Sequence, residues 1–163
     1  MKHFVLIVLL SATAIFSHGQ GFNQALGIRG GYSSGFEYRY YTDDSNSYKL
    51  LLSVRDQGVQ LHAMKEFHTY DIFDFAYQIV FYYGFGVHGG YAWDVHNYAR
   101  GSTREISEAS AIAGLNVLLG LEYVFDVAPV SAGIEVKPYI DIFGRTNFNF
   151  IPYDFAFTIK YLF

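Results

Sequence analysis

The fold of this chain is decided by residues 153–163, which read YDFAFTIKYLF. Large apolar side chains fall at every second position, and the positions between them are mostly small or polar. Successive side chains of a β-strand point to opposite faces, so this period of two predicts a strand with one apolar face. The apolar row is Tyr153, Phe155, Phe157, Ile159, Tyr161 and Phe163, and the opposite row is Asp154, Ala156, Thr158, Lys160 and Leu162.

Earlier segments repeat this alternation, at residues 26–32, 36–40, 48–55, 59–66, 75–91, 114–125 and 130–143. A membrane helix over residues 75–93 is the one rival, because that stretch carries no formal charge and helices of about that length span bilayers. Its glycines, aromatic residues and period of two favour a strand. The chain is therefore predicted to be all-β, an eight-stranded antiparallel up-and-down barrel, because closure removes exposed sheet edges.

Two kinds of barrel fit eight amphipathic strands. A secreted, lipocalin-like barrel that binds a ligand places its apolar face inside, whereas a transmembrane barrel places that face on lipid. The apolar rows are too rich in Phe and Tyr to fit inside an eight-stranded lumen. The opposite rows hold equal numbers of basic and acidic residues, as a narrow lumen requires, because an unpaired buried charge is costly. We therefore predict a transmembrane barrel with a lumen charge network of Arg29, Glu37, Arg39, Lys49, Arg55, Glu66, Glu122, Glu135, Lys137, Asp141, Asp154 and Lys160.

The composition excludes several classes of function. Charged residues make up 16% of the 163 residues, against about 25% in a typical soluble domain. The net charge of −4 gives no electrostatic footprint for nucleic acid. Cysteine is absent, which removes both a disulfide framework and a thiolate zinc site. We predict no cofactor and no metal site.

Residues 1–19 have the form of a cleaved secretory signal peptide. Lys2 supplies the positive charge, Phe4–Phe16 is apolar, and the small residues Ser17 and Gly19 precede a cut before Gln20. This predicts export, with residues 20–163 forming the barrel.

The lengths of the connections predict an orientation. The two longest, Ala92–Ser110 and Gly144–Pro152, follow the fifth and seventh strands and so lie on one side. Outer-membrane barrels have short periplasmic turns and longer outer loops. We therefore expect these two loops to face outward as the contact surface, with both chain ends on the periplasmic side.

The C-terminal residues Phe155–Phe163 resemble the assembly signal of bacterial outer-membrane barrels, a terminal aromatic with apolar residues at every second position before it. The stretches Ser34–Tyr40, Tyr82–His88 and Gly120–Phe125, with Ala128-Pro129 and Glu135–Pro138, are similar to small outer-membrane barrels common in Bacteroidota. The resemblance implies the OmpA/OmpX architecture, contact with outer-membrane lipid, and insertion by the barrel-assembly machinery. Recognition by that machinery would use the signal residues Phe155, Phe157, Ile159, Tyr161 and Phe163. Pro138 predicts a bulge or strand end, because it lacks an amide donor.

No enzyme site is predicted. Residue types suited to acyl chemistry occur in the long loop, but nearness in sequence does not give the geometry of a triad. We interpret Asp94, His96, Ser102, Glu105 and Ser107 as a solvated polar loop.

The predicted function is that of an outer-membrane barrel with a structural or surface-interaction role, and the alternative is a narrow channel for ions or small solutes. His62 and His88 are expected to form ordinary hydrogen bonds in the lumen. Leu119 is expected to face lipid, and Gly120 to face the lumen and to accept a small side chain such as serine.

Overall fold

The computed structural model describes residues 22–55, 58–70, 72, 76–92, 95–96, 105–106, 110–143 and 148–163, with only the backbone of 95–96 and 105–106. The predicted signal segment therefore lies outside the described residues. Within these ranges no helix is long and apolar enough to cross a bilayer.

The described chain is built of strands. They are β1 Gln24–Gly31, β2 Ser34–Asp43, β3 Asn46–Arg55, β4 Gly58–Thr69, β5 Ile79–Ala92, β6 Val95–His96, β7 Glu105–Ile106, β8 Ser110–Val124, β9 Val130–Val136, β10 Tyr139–Phe143, β11 Asn149–Ile151 and β12 Phe155–Leu162. β9 with β10, and β11 with β12, each count as one barrel strand with a short break, while β6 and β7 form a separate hairpin. The prediction of eight antiparallel barrel strands is confirmed.

The barrel closes by pairing its first and last strands. β1 pairs with β12, with Gly27 opposite Lys160. On its other side β12 pairs with β9, and β9 pairs with β8. Gln24 and Phe163 exchange two backbone hydrogen bonds of 2.9 Å. We call the end that carries Gln24 and Phe163 the termini end, and the end that carries the β1–β2 and β5–β8 connections the loop end.

The two faces of the wall differ sharply in polarity. Outward side chains remain exposed although they are large and apolar, for example Phe36 at 67%, Phe85 at 58% and Phe157 at 73%. Inward side chains are buried although they are charged, for example Lys49 and Lys160, each 1% exposed. The alternation in sequence therefore places apolar groups outside and charges inside, the reverse of a lipocalin-like barrel.

The tight β2–β3 turn at the termini end is held by Asp43. Its carboxylate accepts hydrogen bonds from the Ser45 amide at 2.8 Å and the Asn46 side-chain amide at 2.9 Å. The Asn46 hydrogen bond, with the Ser45 bond, lowers the pKa of Asp43. This local bonding pattern explains why Asp and Asn occur at the turn.

Three boundaries differ from the predictions. The fifth strand begins at Ile79 rather than at residue 75, because Ala76–Gln78 form a turn in which Ala76 O accepts from the Ile79 amide at 3.2 Å; Phe75 itself lies outside the described residues. The alternation predicted over residues 130–143 ends at Asp141, because a register shift after Asp141 leaves Phe143 72% exposed. Gly144–Pro152 is not wholly a loop, because β11 within it pairs with β10.

Pro138 interrupts the seventh barrel strand, as predicted. β9 ends at Val136 and β10 begins at Tyr139. The neighbouring strand still hydrogen-bonds across the break, since the Val117 amide donates to Pro138 O at 2.9 Å. The proline therefore removes a donor without opening the wall.

Gly120 faces the lumen but has no room for a side chain, so the expectation that it accepts serine is wrong. It lies opposite Tyr82 in the β5–β8 register. A Cβ at Gly120 would lie 2.3 Å from Tyr82 Cζ, and Tyr82 is fully buried. The Tyr82 ring occupies the space that a side chain at position 120 would need.

We expect Gly120→Ala to lower the free energy of unfolding by about 1–3 kcal/mol, the usual cost of overpacking a buried site. Gly30→Ala is the matched control, because a Cβ at Gly30 meets nothing within 4 Å. Urea unfolding of the purified protein in detergent, followed by near-UV circular dichroism, measures both variants. Equal losses for the two would contradict this account of Gly120.

Candidate functional site

The lumen contains a closed ring of alternating charges near the termini end. Lys49 Nζ lies 2.6 Å from Glu37 Oε2, and Lys160 Nζ lies 3.4 Å from Glu37 Oε1 and 2.9 Å from Glu122 Oε2. Arg39 Nη1 lies 2.8 Å from Glu122, and Arg39 Nε lies 2.6 Å from Glu66. Glu66 Oε1 closes the ring at 3.7 Å from Lys49 Nζ. Each charge in this ring therefore has an opposite charge on both sides.

Gly27 makes room for one contact of this ring. It pairs with Lys160 on one side and with Glu37 on the other. A Cβ at Gly27 would lie 2.8 Å from Lys160 Cγ and 3.2 Å from Glu37 Cγ. The two charged side chains thus meet across a strand position that has no side chain of its own.

A branch of ion pairs leads from this ring toward the loop end. Glu135 bridges Lys49 Nζ at 2.7 Å and Arg29 Nε at 2.5 Å. Arg29 Nη1 then lies 3.1 Å from Asp154 Oδ1, and Lys137 Nζ lies 3.2 Å from Asp154 Oδ2. Five basic and five acidic side chains of the described chain thus form one connected network.

Hydroxyl groups donate hydrogen bonds to four of the five carboxylates of this network. Tyr82 donates to Glu135 Oε2 at 3.0 Å, and Ser33 donates to Asp154 Oδ2 at 2.6 Å. Ser131 donates to Glu122, and Ser47 donates to Glu66 at 3.0 Å. These bonds use lone pairs that ion pairing leaves free. A buried carboxylate requires such bonds, because they offset the cost of its desolvation.

The remaining predicted charges lie at the loop end and outside this network. Asp141 Oδ1 lies 2.8 Å from His88 Nε2, and Asn149 donates to Asp141 Oδ2 at 3.3 Å. Arg55 is half-buried and stacks on Tyr139, with Cζ 5.3 Å from the ring centre. Among the described residues Arg55 has no carboxylate within ion-pair distance.

The two predicted lumen histidines also lie at the loop end. His62 Nε2 is 2.9 Å from Ser53 Oγ and 3.2 Å from Lys137 Nζ. His88 Nδ1 is 3.2 Å from Asn116 Oδ1. The two imidazole rings are neighbours, with centroids 5.2 Å apart.

Sequence reasoning missed an apolar cluster inside the lumen, made by Leu51, Met64, Tyr82 and Leu118. Leu51 and Leu118 occur in runs of apolar residues, where a period of two is hidden. Every second residue from Lys49 and from Glu122 faces the lumen, and this count includes Leu51 and Leu118. The sequence therefore does contain the signal for their position. Arg39 also stacks on this cluster, with Cζ 4.7 Å from the Tyr82 ring centre.

The residues of the predicted assembly signal form an outward row on β12 and its end. Phe155, Phe157 and Ile159 are more than half exposed, and Phe163 is 43% exposed. Tyr161 and Phe163 stack with centroids 6.1 Å apart. The recognition of this row by assembly machinery stays a prediction.

The predicted polar loop is described only in part. His96 and Glu105 are opposite each other in the β6–β7 hairpin, but their side chains, with Asp94, Ser102 and Ser107, lie outside the described residues. Among the residues whose side chains are described, no three His, Cys, Asp or Glu groups are placed to hold a metal.

The fold and its lumen define the chain as a closed eight-stranded antiparallel β-barrel. The sequence matches no protein-family model and no curated protein. The fold is similar to the crystal structure of the N-terminal β-barrel domain of Pseudomonas aeruginosa OprF, with a TM-score of 0.61. That similarity covers 88% of this chain and 100% of that chain at 12% sequence identity, so it concerns the fold alone.

Removing one charge from the network should destabilise the barrel strongly. We expect Glu135→Gln to lower the free energy of unfolding by about 3–5 kcal/mol, because Arg29 and Lys49 then share a buried excess of positive charge. Asp44→Asn, in the exposed β2–β3 turn, is the control and should change stability by less than about 0.5 kcal/mol. Urea unfolding in detergent measures both.

The double variant Glu135→Gln with Lys49→Met should recover part of that loss, because it removes a charge of each sign. Additive losses in the double variant would contradict the coupling of these two side chains.

Proposed function

We propose that this chain is an integral outer-membrane β-barrel of the OmpA/OmpX architecture, with a structural or surface-interaction role. The observation that carries the proposal is the inverted wall: apolar side chains cover the outside, and the buried interior is charged. Soluble monomers rarely expose apolar patches larger than a few hundred Å². Here outward apolar residues occur on all eight barrel strands, as expected for a barrel whose outer face contacts the hydrocarbon core of a bilayer.

The ends of the wall support a membrane position. Exposed aromatic residues occur at both ends of the barrel, as in the interfacial girdles of membrane barrels. At the termini end they include Tyr40, Tyr48, Tyr123 and Phe125, and at the loop end Tyr32, Tyr91, Phe143 and Tyr153.

Lipid acyl chains are the partners that fit the outer surface. Two apolar grooves of about 430 and 550 Å³ lie on the outside of β8, β9 and β12 and share Leu121, Ile134 and Phe157. The small side chain of the outward residue Ala132 leaves space in the larger of the two grooves. Flexible hydrocarbon fills such a surface without a specific complement.

The contents of the lumen favour a scaffold over a channel. The ring and its branch leave no charged side chain of the network more than slightly exposed, and Leu51, Met64, Tyr82 and Leu118 fill the space beside them. An ion crossing this lumen would have to displace ion pairs that compensate one another. We propose that the barrel is a scaffold for the loops, and that the β5–β8 connection at the loop end is exposed outside the cell as a contact surface.

The finer assignment rests on the resemblance in sequence. Residues Phe155–Phe163 support insertion through barrel-assembly machinery, and the motifs at 34–40, 82–88 and 120–125 support a place among small barrels of Bacteroidota. Residues 1–19 support export with a cleaved signal peptide. No enzymatic activity, cofactor or nucleic-acid partner enters the proposal.

The membrane position is tested by fractionating cells and comparing cold with boiled samples of the outer-membrane fraction on a detergent gel. We expect the protein in that fraction, with a change in mobility on boiling. Leu119→Arg, on the outer face in mid-wall, should cost about 2–4 kcal/mol near the bilayer midplane and reduce the folded form. Val127→Arg is the control, because Val127 is fully exposed in the β8–β9 turn. A soluble periplasmic protein without a mobility change would overturn the proposal.

The orientation is tested by single cysteines, which give clean labelling because the chain has none. Ser102→Cys lies in the β5–β8 connection and Val127→Cys lies at the termini end. A bulky, membrane-impermeant maleimide should label the first on intact cells and the second only after the outer membrane is permeabilised. The reverse pattern would contradict the outward position of the loops.

A further inference from the structure

Within the described part of the chain, four buried hydrogen-bond donors near the loop end of the lumen have no partner. Arg55 Nη1, Gln60 Nε2, Asn116 Nδ2 and the Tyr139 hydroxyl are buried atoms without a hydrogen bond. Gln60, Asn116 and Tyr139 are each no more than 3% exposed. The other buried atoms of this kind belong to Glu37 and Arg39, whose charges are compensated in the ring by Lys49 and Glu66 at 2.6 Å.

These four groups belong to one region of the lumen. Asn116 and Tyr139 are register partners across β8 and β10, and the Arg55 guanidinium stacks 5.3 Å from the centre of the Tyr139 ring. Gln60 precedes His62 by two positions on β4, so it lies one inward position nearer the loop end. The His62 ring is 5.2 Å from His88, which is 5.4 Å from Tyr139.

The charge around this region favours an anion over water. Arg55 has no carboxylate partner in the described chain, and Lys137 Nζ lies 5.2 Å from the Tyr139 ring centre while pairing with Asp154. The carboxylate of Asp141, which also lies at the loop end, is already bonded to His88 and Asn149. A water molecule accepts about two hydrogen bonds, whereas an oxyanion accepts several and is compensated by Arg55.

We propose that the loop end of the lumen is a binding site for a small oxyanion, a carboxylate or phosphate group, held by Arg55, Gln60, Asn116 and Tyr139. Arg55 is half-buried and ends β3, so the group enters from the loop end. Arg55 supplies the charge, and the two amides and the hydroxyl fix the orientation. The site depends on the side chains of the lumen and not on the proposed membrane position.

The test is a titration of the purified, folded protein in detergent micelles, with the side-chain amide signals of Gln60 and Asn116 observed by NMR. The probes are sodium acetate and sodium phosphate, with sodium chloride at matched ionic strength as the reference. We expect a saturable shift of both amide signals with acetate, phosphate or both. The oxyanion that saturates identifies which of the two groups the site takes.

Two variants within the site and one control variant outside it separate this site from general salt effects. Arg55→Gln should weaken binding about tenfold or more, since it removes a charge-assisted hydrogen bond. Tyr139→Phe keeps the ring under Arg55 and should weaken binding by a smaller factor. Lys65→Gln, which removes a positive charge from the outer face of β4, should leave it unchanged.

The proposal is overturned if neither oxyanion gives a saturable shift, which would mean that water alone meets these donors. It is also overturned if chloride shifts the signals equally, or if Arg55→Gln binds as tightly as the unmodified protein. These outcomes are independent of cell fractionation, so failure here leaves the membrane assignment standing.

Discussion

The compensation of buried charge inside the barrel is the constraint on which the rest of the structure depends. Arg29, Arg39, Lys49, Lys137 and Lys160 are all held away from solvent, and each has a carboxylate within 3.2 Å. A slip of one residue in any strand would move its inward charges to the apolar face. The network therefore fixes the register of the wall, and the wall supplies the buried interior of low dielectric constant in which the network is strong.

Most of the architecture follows from the period of two, but the contents of the lumen do not. Alternation predicted the eight barrel strands and the face on which each charge lies, and the missing amide donor of Pro138 predicted the strand break there. It did not reveal which cation meets which carboxylate, since Arg39 and Glu122 come from β2 and β8. Leu51 and Leu118 were missed because their neighbours are also apolar, and the outward turn of Phe143 follows from a bulge that alternation alone does not show. The Tyr82–Gly120 contact depends on register between strands, which a single strand's sequence does not contain.

The lumen changes in character along its length. Near the termini end each charge of the ring has an oppositely charged neighbour, and serine hydroxyls add hydrogen bonds to Glu66 and Glu122. Near the loop end the polar groups include amides, imidazoles, a phenol, Lys137 and the Asp141 carboxylate, with Arg55 unpaired among the described residues. The termini end is therefore rigid, and the loop end keeps hydrogen-bonding groups free for a ligand. Binding groups on a rigid scaffold are a common arrangement in proteins.

The sequence distance between ion-pair partners has a consequence for how the barrel forms. Arg29 and Glu135 are 106 positions apart, and Arg29 and Asp154 are 125 apart. Contacts so remote in sequence are made late and slow folding. Until the first and last strands meet, several charges have no partner, and at the proposed membrane position an unclosed sheet would carry them into hydrocarbon at high cost. At the proposed membrane position, insertion and closure would thus be coupled events, and a partly built barrel would be a barrier on the folding path and not a stable intermediate.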